Sequence, residues 1–333
     1  MMSLKQIAEM VGTSVSTVSR VLNNSSPKCA SKELQERIWT AAHEIGYRPN
    51  EAARALQGGG IKKGTETPLR VTVLMARFQK VESDPFFEDL LHCLKTELYA
   101  QGALLHRVLY DGEGLETEVA ASNGVIVLGR CSHSLLERLQ QQNRNLVGIW
   151  RNTMDFAVDE VVCDGKKAAE LAMEHLIGLG HRSIAYIGDC SFESRYVGYC
   201  SSLIQHDIPM NYGLIKSTDQ TFAQGRQAIL ELLEGENAFS AVFCANDITA
   251  VSVLQTLNEQ KRRVDRPISV ISIDDIEGLW DREPALTTVH IPRQEMAHMA
   301  VQTLLDRIRR GHQETVRIEF PCKIIQRESC FRL

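Results

Sequence analysis

The stretch MVGTSVSTVSRVLNNSS, Met10 to Ser26, decides how this chain begins. Short hydroxyl and amide side chains alternate there with four valines and one leucine, and Arg20 stands in the middle. Ser, Thr and Asn usually compete with helices because their side chains bond nearby backbone. Here they follow a helical pattern. Ser14 can cap a helix running to about Asn23. On it Val15, Ser16 and Arg20 lie to one side. Val18, Val21 and Leu22 face the other way, toward Ile7, Ala8 and Val11.

Working outward, Ser3 and Gln6 form a capping box for a first helix that ends at Val11, with Gly12 as its stop. Ser31 caps a third helix carrying Leu34, Ile38, Ala41, Ala42 and Ile45 at helical spacing. Gly46 and Pro49 end it. Three short helices in this order suit a helix-turn-helix, whose second helix enters the major groove with its N-terminal residues at base edges. Arg20 can bond guanine O6 and N7, Val15 can touch a thymine methyl, and small Ser14 and Ser16 allow close approach. Thr17, Ser19 and Asn23 suit phosphate oxygens. The same residues also suit a capped amphipathic helix in a small bundle, and this stretch alone leaves both readings open.

Charge is distributed in keeping with an anionic partner at the head. Residues 1–60 hold seven Lys and Arg against five Glu, a net +2, so a chain total of −5 leaves −7 for the rest. NEAARALQ (Asn50–Gln57) suits a fourth short helix, and GGGIKKGTETP (Gly58–Pro68) reads as a linker.

From Leu69 the texture changes. β-Branched runs at 69–76, 124–129, 182–188, 240–245 and 267–273 alternate with helix-like segments near 86–101, 165–179, 222–234, 247–260 and 293–310. Such alternation implies parallel sheets covered by helices, and some 250 residues suit two lobes. Ligands of such sheets bind outside the carboxyl ends of the strands. The fold expected is an all-α helix-turn-helix head plus an α/β two-lobed core with parallel sheets.

Several classes of function are disfavoured. No GxGxxG, GxxxxGK[ST] or G-x-S-x-G is present, so catalysis on a nucleotide or by a nucleophile elbow is not expected. No apolar run is long enough to span a membrane. The nine cysteines include no CxxC pair, and Cys131 with His133 is too little for a metal site. No signal peptide is read at Met1–Gln6, which points to a cytoplasmic protein with reduced thiols rather than an exported sugar-binding module. No cofactor is expected.

SLKQIAEMVGTSVSTVSRVLNN, then ELQERIWTAAHEIGYRPNEAARALQ, closely resembles the head of the LacI/GalR family of bacterial repressors. TVSRVLN (Thr17–Asn23), GYRPN (Gly46–Asn50) and AARAL (Ala52–Leu56) carry the likeness. It continues through AAELAMEHLIGLGHRSIAYIG, AVFCANDITAVSVL, PISVISIDD and PALTTVHIP, essentially to the end of the chain.

The resemblance implies a ligand-controlled transcription regulator. Val15, Ser16 and Arg20 would choose the operator. Asn50, Ala53 and Leu56 would belong to a hinge helix, with Leu56 wedged into a minor-groove step, where an apolar wedge permits a bend and more contact. The divisions implied are a head over 1–48, a hinge and linker over 49–67 and a body over 68–333. Within the body, one lobe would take about 68–160 and 292–320, the other about 161–290 and 321–333. The body would resemble a periplasmic sugar-binding protein. Family ligand positions fall on DPFF (Asp84–Phe87), hence Phe86 and Phe87, and on Trp150, Arg195, Asn246 and Asp274. Aromatic rings would stack on a sugar face while Arg195, Asn246 and Asp274 bond hydroxyls. Asn246 also suits a helix cap.

Two departures bear on the effector. Only LYDGEGLETEVAAS lies between Val108 and Gly124, where the family has a whole helix, and ISIDD replaces the usual motif. Both features occur in a branch governing β-galactoside operons, which favours a galactoside. The short loop before Arg195 is expected to lack a common ligand contact. Trp150, where many members have aspartate, disfavours a purine. A homodimer on a palindromic operator, released by sugar, is expected. A nucleobase or sugar phosphate is the alternative effector.

Overall fold

The computed structural model describes residues 4–22, 30–44, 68–76, 84–110, 114–152, 154, 156–191, 193–260, 267–278 and 283–333. Contacts divide the chain into a unit over 1–67 and a unit over 68–333. Each has its own core.

In the first unit, α1 (Leu4–Val11), α2 (Val15–Leu22) and α3 (Lys32–Glu44) pack around Ile7, Ala8, Val11, Val18, Val21, Leu22, Ile38, Ala41 and Ala42. The apolar residues recur every three or four positions, so each helix buries one stripe. Gly12 takes φ +71°, a conformation that suits glycine, and the Thr13 amide donates to Ala8 O at 2.9 Å to close α1. Arg37 on α3 donates to the Val11 carbonyl at 3.0 Å, which satisfies the end of α1 from a distance. Ser3, Asn23, Asn50, Ala53 and Leu56 lie outside the described residues.

The second unit holds two six-stranded sheets. The first consists of β1 (Arg70–Met75), β2 (Leu104–Tyr110), β3 (Gly124–Leu128), β4 (Leu146–Trp150), β5 (Asp159–Val162) and β11 (Arg317–Glu319). Its order is β11-β5-β4-β3-β1-β2, and every pairing is parallel. The second consists of β6 (Ile184–Gly188), β7 (Ile215–Ser217), β8 (Ala241–Cys244), β9 (Ser269–Asp274), β10 (Thr287–His290) and β12 (Lys323–Ile325). Its order is β12-β10-β9-β8-β6-β7, parallel except for β10 with β12. Helices connect the strands: α4 (Pro85–Ala100), α5 (Leu115–Ala120), α6 (His133–Gln142), α7 (Gly165–Gly178), α8 (Ser194–Gln205), α9 (Phe222–Glu234), α10 (Asp247–Glu259) and α11 (Arg293–Ile308).

Runs such as Gly124–Leu128 and Leu146–Trp150 are buried throughout, as strands covered on both faces must be. The five runs read from the sequence as strands are β1, β3, β6, β8 and β9. The chain passes between the sheets three times. It leaves β5 for α7 at 163–164, leaves β10 for α11 at 291–292, and leaves β11 for β12 at 320–322. Helix α11 returns to pack on α4 and on β3, β4 and β5. Strand carboxyl ends from both sheets therefore meet across a cleft. Among the described residues no helix is long and apolar enough to cross a membrane.

Candidate functional site

In the head, helix α2 has one face in the core and one in solvent. The Ser14 hydroxyl accepts from the Thr17 amide at 3.1 Å and caps the helix, in contact also with the hydroxyls of Ser16 and Thr17. Val18 and Val21 are 0% and 4% exposed, whereas Val15 is 44% exposed. A valine left outside a helix that buries its other valines is available to a partner. Ser14, Ser16 and Arg20 are exposed beside it, and Thr17 and Ser19 are half-buried at the margin. Arg20 Nε donates to Ser16 O at 3.2 Å, which lays the guanidinium along its own helix. The face thus offers an apolar contact, small hydroxyls and an arginine, a set able to meet a thymine methyl, phosphates and a guanine edge.

In the body, a cavity of about 190 Å³ lies at the strand ends. Arg130, Arg151 and Asn152 follow β3 and β4, and Asp189, Gln220 and Asn246 follow β6, β7 and β8. Asp84, Phe87 and Ile248 add the start of α4 and one residue of α10. This is the position where parallel sheets place ligands. Among the described residues no cluster of His, Cys, Asp and Glu could hold a metal ion.

Phe87, Trp150, Arg195 and Asn246 line this cavity; Phe86 and Asp274 do not. Phe86 is 2% exposed because its ring turns inward, edge-on to Phe87 and 4.0 Å beneath the Arg151 guanidinium. Trp150 needs a second correction. Its indole is 3% exposed and packs in the first lobe's core, lying over Gly148 so closely that a Cβ there would come within 1.9 Å of the ring. Trp150 Nε1 donates to Glu160 at 2.7 Å. The ring is therefore not an open sugar floor, and Phe87, half-buried at the mouth of α4, is the aromatic surface that remains.

The charged residues are paired before any ligand arrives. Arg195, 2% exposed, donates through Nε and Nη2 to both carboxylate oxygens of Glu193 at 3.0 and 2.9 Å. It also donates to Gln220 Oε1 at 2.9 Å and to the Ala245 carbonyl. Burial would raise the Glu193 carboxyl, but Arg195, with Arg151 behind it, brings it down to about 2. The loop before Arg195 thus contributes Asp189 and Glu193 to the cavity, where the sequence led us to expect a missing contact.

Asp274 ends β9, where a ligand residue was expected, yet it is 1% exposed and its carboxylate lies 2.6 Å from Arg151 Nη2. That N–H does not point along the contact, so neither atom makes a proper hydrogen bond, and Arg151 Nε is buried without one. Burial raises Asp274 to about 7 even against Arg151, and burial likewise lowers Arg151. The turn is held by Arg293, which donates to the carbonyls of Asp274 and Asp275 and to Asp89 Oδ2 at 2.7 Å. Those two aspartates take φ of +133° and +55°, conformations that cost energy for a side-chain residue and need such support.

Asn246 caps α10, accepting from the Thr249 amide at 3.0 Å and donating to Gln220 O at 3.1 Å. Its neighbour Asp247 is buried and accepts from Ser272, Thr288 and the Ile276 amide, tying α10 to β9 and β10. Of the lining residues that sequence reading missed, Arg130 and Asp189 directly follow runs read as strands, and the strand-end rule would have found them; Arg151, Asn152 and Gln220 follow β4 and β7, which that reading passes over, and Glu193 and Ile248 lie at the starts of α8 and α10.

A three-helix head with an open recognition face, on a body of two sheets with a cleft at their strand ends, defines a DNA-binding regulator carrying a periplasmic-binding-protein-like sensor. Residues 3–50 match the family model described as bacterial regulatory proteins, lacI family, and residues 173–330 match that of the periplasmic binding protein-like domain. The chain thus carries a LacI-family helix-turn-helix domain followed by a periplasmic-binding-protein-like domain, the make-up of ligand-responsive transcriptional repressors, which are not enzymes. The HTH-type transcriptional repressor PurR of Aliivibrio salmonicida is 25% identical, over 100% of both chains. The probable HTH-type transcriptional repressor ExuR of Bacillus subtilis is 27% identical, over 100% of this chain and 99% of its own. A LacI family regulator from Enterococcus faecium, solved with bound ribose, is 26% identical with a TM-score of 0.69, covering 79% of this chain and 99% of that one.

Proposed function

We propose that this chain is a repressor of a carbohydrate-utilisation operon, binding a palindromic operator as a homodimer and releasing it when a neutral sugar occupies the cleft. The observation that carries this reading is the pairing of charges around the cavity. Glu193 holds Arg195 in a buried bidentate ion pair and Asp274 lies against Arg151, so two of the three arginines in the lining face a carboxyl group before any ligand arrives. The lining also holds Asp84, Asp189, Asp219, Asn152 and Gln220, with Arg130 as the third arginine and Phe87 and Ile248 as apolar walls. Hydroxyl groups donate to such acceptors, and an anionic phosphate would face a lining with four carboxylates, Asp84, Asp189, Glu193 and Asp219, against three arginines. A cavity of about 190 Å³ is below the ~300–1,000 Å³ of drug-sized sites and suits a small ligand. The relative solved with ribose supports the same chemistry.

On the DNA side, Val15, Ser16 and Arg20 read bases while Ser14, Thr17 and Ser19 position the helix; Asn23, Asn50, Ala53 and Leu56 extend the contact. In the cleft, Phe87 is the stacking surface and Arg195 and Asn246 orient the polar groups around it. Two linked heads gain affinity from a shared frame. The sugar can release DNA only through different affinities for the two lobe arrangements.

The test is fluorescence anisotropy of the full chain on a library of operator-like palindromes at fixed salt, with a panel of neutral sugars, sugar phosphates and nucleobases. Specific binding reversed by a neutral sugar, a galactoside being the first to try, is expected. Release by a sugar phosphate or nucleobase alone would overturn the effector, and tightening by sugar would overturn release as the direction. Weak binding to every sequence, erased by salt, would overturn the DNA reading.

A further inference from the structure

The cysteines take no part in the function proposed above, yet two of them meet at a significant place. Cys163 Sγ and Cys322 Sγ lie 3.1 Å apart, although the residues are 159 positions apart in sequence. Both are free thiols. Cys163 stands on the first passage between the lobes, directly after β5, and Cys322 on the last, directly before β12. The two segments run side by side: β11 pairs with β5 up to Glu319 and Val162, and the Phe320 amide donates to Val162 O at 2.8 Å. Any motion of one lobe against the other must work through these passages and through 291–292.

We propose that Cys163 and Cys322 are an oxidisable pair that closes into a disulfide and fastens two of the three passages between the lobes. A disulfide is about 2.05 Å long, so the sulfurs need approach by only ~1 Å. Cys322 is half-buried and within reach of a small oxidant, while Cys163 is fully buried behind it. The contact between the two sulfurs lowers the Cys322 thiol and raises that of Cys163, so the more exposed Cys322 is the sulfur that becomes a thiolate. With hydrogen peroxide as oxidant, the Cys322 thiolate attacks one oxygen, the O–O bond breaks, and sulfenic acid forms with loss of hydroxide. The Cys163 sulfur then attacks the sulfenyl sulfur, the S–O bond breaks, and water leaves with the thiol proton. Two thiols are oxidised and one peroxide is reduced.

The bond formation stands on its own. Its effect on DNA release rests on the proposed function, and the experiment separates the two. The full chain is titrated with hydrogen peroxide, quenched with N-ethylmaleimide and mapped as unreduced peptides by mass spectrometry. The Cys163–Cys322 linked peptide is expected at peroxide levels that leave the other seven cysteines alkylated. It should disappear on adding dithiothreitol and in Cys163→Ser and Cys322→Ser alike. Modification of another cysteine first, or sulfinic acid at Cys322 without the link, would overturn the pair. Hydrogen exchange then reads the lobes without DNA or effector: in the linked protein the amides of Ile291 and Arg293, on the passage that carries no cysteine, should exchange at least fivefold more slowly. Unchanged exchange there would overturn the fastening. Last, operator release by the effector should weaken at least tenfold in the linked protein and stay normal in peroxide-treated Cys322→Ser. Equal release in both would overturn the regulatory consequence, whereas absence of operator binding in the reduced protein would count against the functional reading alone.

Discussion

The head and the cleft handle polar side chains in opposite ways. Helix α2 leaves Ser14, Ser16, Arg20 and even Val15 in solvent, with no distant part of the chain bonded to the arginine among its hydrogen bonds described above. The cleft ties Arg195 to its near neighbour Glu193 and to the distant Gln220 and Ala245, and sets Arg151 against Asp274 from another strand end far along the sequence. The head is a surface awaiting a partner that brings its own acceptors. The cleft is a preorganised shell in which charged side chains already face one another. A substitution in the first should change recognition and leave the fold alone, and a substitution in the second should disturb both.

The largest effect follows from that contrast. Glu193→Ala leaves Arg195 as an unpaired charge at 2% exposure, and breaking a buried pair from one side costs roughly 3–5 kcal/mol. Denaturant unfolding of the body should show that loss, and Glu193→Gln, which keeps an acceptor, should lose clearly less. A change below ~1 kcal/mol in Glu193→Ala would mean that the cleft is no more tightly built than the head. On the other side, Arg20→Ala should weaken specific operator binding by about 1–3 kcal/mol, roughly 5- to 150-fold, with the unfolding of the body unmoved. A similar loss on every DNA sequence would recast Arg20 as a phosphate contact.

The same contrast explains what the sequence made legible. Exposure on α2 follows from a 3.6-residue period, so Val18, Val21 and Leu22 in the core and Val15 outside could be read from residues within one or two turns. The parallel sheets were legible because β1, β3, β6, β8 and β9 are runs rich in β-branched and other apolar residues, although the reading passes over the equally apolar β4 and over β2, β5 and β10. Strands β7, β11 and β12 have three residues each and are half-exposed or exposed, so they carry no such run. Cleft chemistry was the least legible part. Nothing near Asp274 in sequence shows that Arg151 will lie against it, and nothing near Trp150 other than Gly148 hints that the indole folds over its own strand. Pairing over more than a hundred residues is a property of the fold.

Titration sharpens the contrast further. Asp274 has a folded value of about 7 against an ordinary 3.8. Its raised value means that the folded state prefers the protonated acid. The stability it contributes is fully present below about pH 4 and is lost as pH rises through 7, at up to about 1.4 kcal/mol per pH unit. Glu193 works in reverse: held at about 2 against 4.5, it stabilises above pH 4.5 and loses that contribution as pH falls toward 2. Between pH 5 and 7 the Asp274 slope should therefore stand out in thermal unfolding of the body, and Asp274→Asn should flatten it. A slope that survives the substitution would assign it to other groups.

The smallest expected effect compares two helix caps of the same kind in the two settings. Ser14 caps α2 and Asn246 caps α10, each through a side-chain oxygen accepting the amide three residues on. Loss of such a cap costs about 1 kcal/mol. In Ser14→Ala the Thr17 and Val18 amides should exchange about fivefold faster, because that free energy is lost from a short local helix, and the body should not respond. Asn246→Ala loses the cap and also the hydrogen bond to Gln220, whose side chain accepts from Arg195. Its cost should exceed that of Ser14→Ala and should appear in effector affinity as well as in stability. If the two variants cost the same and Asn246→Ala leaves effector affinity intact, the cleft's shared hydrogen bonds act independently, and the difference between head and cleft is one of burial alone.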